Sequence, residues 1–307
     1  MINHKLKVVI FGTGWAFNNY IEHYRDEHDV VGVTDWDYAK HGNKIKGIPV
    51  LNPYNLGSID FDKILICSTY IKEIKEQLEQ KIQISEDMTL VPYKYQFKSG
   101  KPFEDAATRS FALEVIEYLS KFFAKKNVIL YLDYGTLLGL VRDGDLIHWD
   151  DDVDLTINEV HMDTVMKFIP TLEGKLPFSD EVCWSCSCKE TPTNEVRYIS
   201  FKFTNRKNDK YNEFELGIRS RQIIGEFSVY LGHVPWVAYS KFFRGYEKLK
   251  LENKEFYTPI DYKEYLKSLY GNWHTPQQTS FEFEWAKEID KTQFNHLIKP
   301  LFDREVF

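Results

Sequence analysis

The chain has 307 residues, 43% of them hydrophobic and 28% charged, which is typical of a globular protein with about two domains. The formal net charge of −7 argues against nucleic acid as the main partner. The N-terminus lacks the pattern of a signal peptide, and no stretch reaches the roughly 18 apolar residues that span a bilayer. We therefore expect a cytoplasmic protein whose contact with a membrane, where it occurs, is peripheral at the inner face.

The first part of the chain, residues 1–98, alternates between the sequence patterns of strands and helices. Ile71, Ile74 and Leu78 recur at helical spacing. Four short apolar runs predict buried strands, at residues 7–11, 30–34, 48–51 and 63–67. This alternation predicts an α/β, Rossmann-like domain with a parallel sheet between helices.

The second part of the chain begins after a polar stretch at 95–102, whose Ser, Gly and Pro content predicts a boundary. We place the second domain at 103–307, with an α+β fold and a mixed or antiparallel sheet. Residues from 240 onward are predicted to be mainly helical. The first helix carries an apolar stripe of Phe111, Val115, Leu119 and Phe122. Strands are predicted at 128–132, 153–157, 198–203 and 211–218, the last two as an antiparallel pair.

A glycine cluster follows the first predicted strand. Gly12 and Gly14 precede a helix, and the acidic Asp35 follows about 20 residues later, which is the outline of a dinucleotide-binding motif. In such a motif the helix start binds pyrophosphate and the carboxylate binds ribose hydroxyls. Phe17 fills the third small position, so NAD is not expected. The stretches GIPVLNPYNL and KILICS resemble small Rossmann-like domains of bacterial surface-polysaccharide enzymes, which leaves nucleotide-sugar binding and a structural role both open.

Three cysteines lie close together, Cys183, Cys186 and Cys188. Their spacing suits zinc thiolates, but the cluster offers three ligands and no second pair follows. Strand alternation would instead place Cys186 and Cys188 on one face as small apolar fillers. The sequence favours this second interpretation.

The most informative segment spans residues 131–155, YLDYGTLLGLVRDGDLIHWDDDVDL. It crowds four aspartates into five positions, which is unfavourable unless a cation or strong donors compensate. Strand alternation puts Asp152 and Asp154 on one face, where they are well placed to hold Mg²⁺ or Mn²⁺. Upstream, Gly135 allows close backbone approach, and the amides near Thr136 are placed to receive a phosphate at a helix start. Arg142, at the far end of that helix, offers a bidentate phosphate fork.

The block DYGTLLGLVRDGDLIHWDDDVDL resembles the signature of the LicD family, which includes the fukutin-related proteins and is similar to the DNA polymerase β-like nucleotidyltransferases. A second block, at 259–273 (PIDYKEYLKSLYGNW), resembles the family's C-terminal segment. Together the blocks frame residues 105–280. By this resemblance the family's positions are matched by Asp133 before the turn, Gly135 and Thr136 at the turn, Asp150 as a further acid, and Asp152 and Asp154 as the metal-binding pair. Asp133, Gly135 and Thr136 are therefore expected to bind substrate.

The resemblance implies transfer of a substituted phosphate, such as phosphocholine or a phospho-alditol, from a CDP-linked donor to a sugar hydroxyl of a surface glycan. The third metal carboxylate is expected to be Glu215, with Glu213 as the alternative. Asp150 or Asp154 would accept the proton of the hydroxyl. Phosphate oxygens would be neutralised by Arg142 with Lys202 or Arg219.

Aromatic side chains are abundant, with 19 Tyr and 7 Trp. Trp236, Tyr270 and Trp273 are candidates to stack on a sugar or to cage a quaternary ammonium, although core packing explains any single ring as well. Two other functions stay open. One is a D-x-D glycosyltransferase that uses a nucleotide-sugar, and the other is a non-enzymatic scaffold that binds nucleotide-sugars in capsule assembly.

Overall fold

The computed structural model describes residues 5–68, 70–92, 100–207, 209–232, 234–276 and 289–307. Contacts divide the chain into two compact units, the first reaching Gly100 and the second starting at Lys101. The polar stretch at 95–102 lies largely outside the described residues. Within the described residues, no helix combines the length and the hydropathy that a membrane span requires.

The first unit is an α/β fold with a mostly parallel sheet, which confirms the prediction. The strand order is β3-β4-β2-β1-β5-β6, and only β3 and β4 pair in antiparallel fashion. Its elements are β1 (Lys7–Phe11), α1 (Trp15–His23), β2 (Asp29–Thr34), β3 (Lys44–Ile45), β4 (Ile48–Leu51), β5 (Lys63–Ile66), α2 (Ile71–Ile82) and β6 (Thr89–Leu90).

Helices bury both faces of this sheet, as the continuous apolar run of β1 predicts. Val8 and Ile10 pack in the hydrophobic cluster that contains residues of α1. Val9 and Phe11 point the other way, into the cluster with Ile71, Ile74 and Leu78 of α2. The alternation of side chains along one strand thus creates two cores.

The second unit is α+β with a mixed sheet of ten strands, again as predicted. Along the main path the strand order is β14-β15-β7-β8-β11-β10-β9-β16, and β12 pairs with β11 and β13. The elements are α3 (Ala106–Ala124), β7 (Tyr131–Leu132), α4 (Tyr134–Arg142), β8 (Asp152–Asn158), α5 (Met162–Phe168), β9 (Val182–Glu190), β10 (Val196–Asn205), β11 (Glu215–Ile224), β12 (Phe227–Leu231), β13 (Pro235–Tyr239), β14 (Glu247–Leu251), β15 (Lys254–Thr258), α6 (Tyr262–Tyr270) and β16 (Phe302–Glu305).

Helix α3 covers one face of this sheet. Its N-cap is Asp105, whose carboxylate accepts a hydrogen bond of 2.7 Å from the amide of Thr108. Phe111, Val115 and Leu119 are buried as the stripe predicts. At the end of the stripe, Phe123 is fully buried whereas Phe122 is only partly buried.

Two predictions about the second unit need correction. The strand predicted at 128–132 forms only the two-residue β7. The residues from 240 onward are not mainly helical in their described part, because β14 and β15 form an antiparallel hairpin there and β16 pairs with β9. The predicted antiparallel pair is confirmed as β10 and β11, with Tyr198 opposite Arg219.

Candidate active site

The centre of the site is strand β8, which lies between β7 and β11. Because β8 and β11 are parallel, their register places Glu215 beside Asp152 and Gly217 beside Asp154. Asp152 is half-buried and Asp154 is buried. Glu213, the alternative third carboxylate, precedes β11 and is exposed. The fold therefore brings Glu215, rather than Glu213, next to the predicted metal-binding pair.

Helix α4 starts directly beside this acidic strand. The amide of Asp154 donates a 2.8 Å hydrogen bond to the hydroxyl of Thr136, and the amide of Asp133 donates to the carbonyl of Asp154 at 3.1 Å. A Cβ on Gly135 would overlap the carboxylate oxygen Oδ2 of Asp150. Gly135 is therefore the residue that lets the helix start and the Asp150 carboxylate approach each other.

Three carboxylates converge at the start of β8. Oxygen atoms of Asp150, Asp151 and Asp152 lie within 4.8 Å of one another, and all three residues are half-buried. They form the one such group of potential metal ligands in the part of the chain that the structure describes. Carboxylate oxygens are the donors that Mg²⁺ prefers. The cluster thus has the chemistry of a site for a hard divalent cation.

The predicted metal-binding set was Asp152, Asp154 and Glu215. The carboxylate oxygens of these three residues do not converge as those of Asp150, Asp151 and Asp152 do. The carboxylate of Asp154 forms an ion pair with Arg219. Glu215 accepts a 2.5 Å hydrogen bond from the hydroxyl of Tyr198 and lies 3.1 Å from the ammonium of Lys202. Both carboxylates are therefore directed at protein donors, whereas Asp151 takes a place in the cluster.

Arg219 links the acidic strand to a group of tyrosines. Its guanidinium lies 5.4 to 5.8 Å from the ring centres of Tyr134, Tyr198 and Tyr230, close enough for cation–π attraction. The pKa of Asp154 is raised to about 7, mainly because the residue is buried; Arg219 opposes this shift, and the charges of Asp152 and Asp150 add to it. Arg219 thus lies at the acidic site, as the sequence led us to expect of a phosphate-binding residue.

Lys202 reaches the same edge of the site from β10. Its side chain is mostly exposed and its only described ion pair is with Glu215. A Cβ on Gly217 would overlap the hydroxyl of Tyr198, so the glycine makes room for the tyrosine that bonds Glu215. The pairing of β10 with β11 therefore places the basic side chain of Lys202 beside the acidic side chain of Glu215, although the two residues belong to different strands.

Asp133 lies beneath the site rather than in it, which corrects its predicted contact with substrate. Its side chain has no exposed surface and pairs at 3.1 Å with Arg221, which is equally buried. The hydroxyl of Thr156 donates to it at 2.6 Å, and the hydroxyl of Tyr265 donates as well. With these donors Asp133 is fully engaged by the protein. Arg221 was missed from the sequence, although its two-residue spacing from Arg219 is a signal that both arginines share one face of a strand.

Arg142 lies at the opposite end of α4 from the residues that contact the acidic strand. It is the last residue of α4, about 9 Å along the helix from Thr136 at 1.5 Å per residue. Its guanidinium makes a bidentate pair with Asp143, with distances of 2.8 and 2.6 Å. The role of Arg142 as a phosphate fork stays a prediction: its guanidinium bonds Asp143 and lies 5.9 Å from the ring centre of Trp149, the residue before Asp150.

The three aromatic candidates have different positions. Trp236 packs edge-on against Tyr134, with ring centres 5.3 Å apart. Burial raises the pKa of the Tyr270 phenol, and the charges of Asp154 and Asp150 raise it further, which locates Tyr270 near the acidic strand. Trp273 belongs to the hydrophobic core and stacks on His274 at 3.9 Å. Trp236 and Tyr270 are thus close to the site, whereas Trp273 packs in the core.

The predicted nucleotide-binding residues of the first unit meet at the carboxyl ends of β1 and β2. Gly12 has a φ of +104°, and a Cβ there would lie 2.7 Å from the carbonyl of Cys67. Gly14 is the N-cap of α1. The carboxylate of Asp35 accepts a 2.5 Å hydrogen bond from Thr13 and lies 3.1 Å from Lys40. The sequence motif is therefore assembled in space, with the acidic residue bound to protein donors.

The cysteines follow the strand alternation that we predicted. Cys186 and Cys188 on β9 are buried in the core of the second unit, and Cys183 is exposed. All three are free thiols. Cys186 and Cys188 therefore act as apolar fillers in this structure.

The fold and the site together define a Rossmann-like domain followed by a nucleotidyltransferase-like domain with an acidic strand. Residues 127–261 match the family model of the LicD/FKTN/FKRP nucleotidyltransferase domain, and residues 4–90 match the model of the C2185-like N-terminal domain. The chain therefore carries a LicD domain, which confirms the resemblance seen in the aspartate block. A LicD domain indicates a transferase that acts in glycan modification.

Solved structures give weaker similarities, and no curated protein matches the chain significantly. UDP-D-quinovosamine 4-dehydrogenase from Vibrio fischeri is 22% identical, with 28% of this chain and 77% of that one covered and a TM-score of 0.24. An engineered D-amino acid dehydrogenase bound to NADP+ (12% identity, 70% and 83% covered, TM-score 0.25) and the C. glutamicum DAP dehydrogenase (12%, 70% and 82%, 0.26) are also similar. Values this low support no conclusion about activity.

Proposed function

We propose that this protein transfers a substituted phosphate, of the phosphocholine or phospho-alditol type, from a CDP-linked donor to a sugar hydroxyl of a cell-surface glycan. The observation that carries the proposal is the convergence of the Asp150, Asp151 and Asp152 carboxylates within 4.8 Å, beside the start of α4 and inside the LicD domain. Transfer of a phosphate group relies mainly on positioning and charge neutralisation, and this site offers both.

The acidic cluster supplies the proposed metal site. Asp150, Asp151 and Asp152 offer oxygen donors of the kind that bind Mg²⁺ or Mn²⁺, and Glu215 lies in register with Asp152. A cation held there would neutralise the negative charge of the donor pyrophosphate and orient it. The three aspartates are half-buried, so each keeps part of its surface exposed to solvent.

Positively charged groups next to the cluster serve the phosphate oxygens. The guanidinium of Arg219 is paired with Asp154, and the mostly exposed Lys202 lies beside Glu215. An arginine binds phosphate through a planar fork and a lysine as a point charge. If a donor phosphate replaced Asp154 as the partner of Arg219, or Glu215 as the partner of Lys202, the positive charge of each side chain would stay paired.

The proposed reaction is a direct displacement at phosphorus. The acceptor hydroxyl gives its proton to one of the carboxylates, Asp150 or Asp154, as its oxygen bonds to the phosphorus of the substituted phosphate. The bond from that phosphorus to the bridging oxygen of the pyrophosphate breaks, and CMP leaves with the electron pair. The product is a phosphodiester between the headgroup and the sugar. Because donor and acceptor glycan meet near a membrane in such a pathway, we propose peripheral association with its inner face.

The decisive experiment measures CMP release from a panel of CDP-linked donors, with an acceptor glycan extract present, with and without Mg²⁺. We expect metal-dependent release from one donor. Asp152→Asn should lower the rate by about a hundredfold or more, in the range seen when a charge-stabilising group is removed from an active site. Asp163→Asn, an exposed aspartate at the start of α5, is the matched control and should leave the rate unchanged.

The outcomes separate the candidate functions. Release of UDP or GDP from nucleotide-sugars, without CMP release from any CDP donor, would favour the glycosyltransferase alternative. A chain that binds neither Mg²⁺ nor any CDP-linked ligand would favour a non-enzymatic scaffold. An Asp152→Asn variant with the normal rate would show that the acidic cluster is not the metal site.

A further inference from the structure

Tyr134, the first residue of α4, has an unusual backbone conformation. Its φ is +42°, in the left-handed region. Residues with bulky side chains rarely adopt this conformation, and it persists only where surrounding contacts hold it. The contacts of Tyr134 must therefore compensate for an unfavourable backbone at the entrance to the helix.

The side chain of Tyr134 is held by two arginines. Its hydroxyl accepts a 2.5 Å hydrogen bond from Nη2 of Arg221. Its ring centre lies 5.4 Å from the guanidinium of Arg221 and 5.4 Å from that of Arg219. The edge of Trp236 packs against the same ring. Tyr134 thus contacts both the buried Arg221 and Arg219, the arginine of β11 that pairs with Asp154 of the acidic strand.

Arg221 is in turn fixed from every direction. It pairs with Asp133 at 3.1 Å and donates to the carbonyls of Ser228 and Trp236 at 3.3 and 3.4 Å. Asp133 is held by Thr156, as described above. A buried network in which every member has partners is rigid, so the Tyr134 hydroxyl is bonded to a group that cannot easily move.

The residues that follow Tyr134 transmit its conformation to the site. Gly135 lies against the carboxylate of Asp150, and the hydroxyl of Thr136 accepts from the amide of Asp154. A return of residue 134 to a negative φ would rotate both contacts away from the acidic strand, because they come directly after it in the chain.

We infer that Tyr134 is a positioning residue, whose bond to Arg221 holds the left-handed turn that sets Gly135 and Thr136 against the catalytic aspartates. The inference rests on the proposed function for its kinetic effect. It assigns no contact with substrate to Tyr134, which is buried. Its effect should therefore appear in turnover rather than in donor binding.

The first test is Tyr134→Phe, which keeps the ring and removes the hydroxyl. We expect kcat for CMP release to fall about ten- to a hundredfold, as for a misplacement of about 1 Å, with KM for the donor changed less than about twofold. Tyr211→Phe is the matched control, since it removes the hydroxyl of another buried tyrosine, which donates to Glu181 at 3.2 Å. The control should keep the normal kcat. Equal kcat values in both variants would overturn the inference.

Arg221→Lys is a second variant that removes the hydrogen bond between Arg221 and the Tyr134 hydroxyl. It keeps a positive charge beside Asp133 but lacks the planar fork that holds Asp133 and the Tyr134 hydroxyl together. We expect the same selective fall in kcat, and the double variant should lose little more than either single variant, because one contact is removed twice. Additive losses would show that the two residues act separately and would overturn the inference.

Crystal structures of the wild-type protein and of Tyr134→Phe test the role of Tyr134 without a kinetic assay. We expect the wild-type φ at residue 134 to be positive, and in the variant we expect it to become negative, with the Asp150 carboxylate drawn away from Gly135. An unchanged turn in the variant would overturn the inference even if its thermal stability falls. If the wild-type chain releases no CMP from any donor, the proposed function fails while these structures still decide the role of Tyr134.

Discussion

Substitution of Gly135 by alanine tests how closely helix α4 must approach the acidic cluster. The φ of Gly135 lies outside the left-handed region, so alanine suits the backbone, but its Cβ would overlap Oδ2 of Asp150. The flexible end of the aspartate is the part that must yield. We therefore expect the Asp150 carboxylate to retreat from the cluster while the helix stays in place.

The structure gives the scale of both effects. A retreat to ordinary van der Waals distance moves the carboxylate by about 1 Å, and a displacement of that size at a reacting group costs about a hundredfold in rate. This corresponds to about 2.7 kcal/mol of transition-state stabilisation. Stability should change little, because alanine gains up to about 1 kcal/mol over glycine in a helix and the displaced side chain offsets that gain.

The assay is CMP release under single-turnover conditions, with urea unfolding measured on the same preparations. Gly57→Ala is the matched control, since nothing lies within 4 Å of its Cβ position, and it should keep the normal rate. A Gly135→Ala protein with both normal stability and a normal rate would refute the reasoning, because it would show that the position of Asp150 against α4 is not needed. A large loss of stability would refute the premise that the side chain, rather than the helix, gives way.

Two further predictions concern stability and thiol chemistry. Asp133→Ala leaves the buried guanidinium of Arg221 without its counter-ion, so the free energy of unfolding in urea should fall by about 3–5 kcal/mol; a loss below about 1 kcal/mol would mean that the pair does not hold the core. Of the four cysteines, Cys67, Cys186 and Cys188 are buried, and burial raises the pKa of each thiol, that of Cys186 to about 12; their thiolate fraction at pH 8 is therefore small, whereas Cys183 is exposed. With a thiol reagent at pH 8, the folded chain should therefore show one fast thiol, and rapid reaction of a second would contradict the burial.

Local sequence was sufficient where the pattern of a segment agreed with its surroundings. The predicted strands at 7–11 and 48–51 coincide with β1 and β4, and the acidic strand was placed within one residue at each end. The first two segments are short apolar runs, and the acidic strand alternates aspartates with apolar residues, so the period of their side chains decides both their type and their buried face. The aspartate block likewise identified the LicD domain.

In the hairpin of β14 and β15 our prediction of helices was wrong, although the sequence carries the pattern of strands there. The segment EKLKLENKEFYT alternates polar and apolar residues with the period of a strand. Its turn places Glu252 at a φ of +51°. We predicted mainly helices after residue 240, but pairing of β15 with β7 fixes the segment as part of the sheet. The local sequence pattern of a segment does not show which strand it will pair with in the sheet.

The sequence by itself placed Asp152 and Asp154 on one face of a strand, because side chains alternate along a strand. The tertiary structure added Asp151 to the cluster and placed Glu215, rather than Glu213, beside Asp152. Only the tertiary structure decided the partner of each charge. Arg221 neutralises Asp133, which lies 88 positions away, and Arg219 pairs with Asp154 across the parallel register of β8 and β11. A buried charge is stable only beside its counter-charge, and which charges meet depends on strand order, a property of the whole fold.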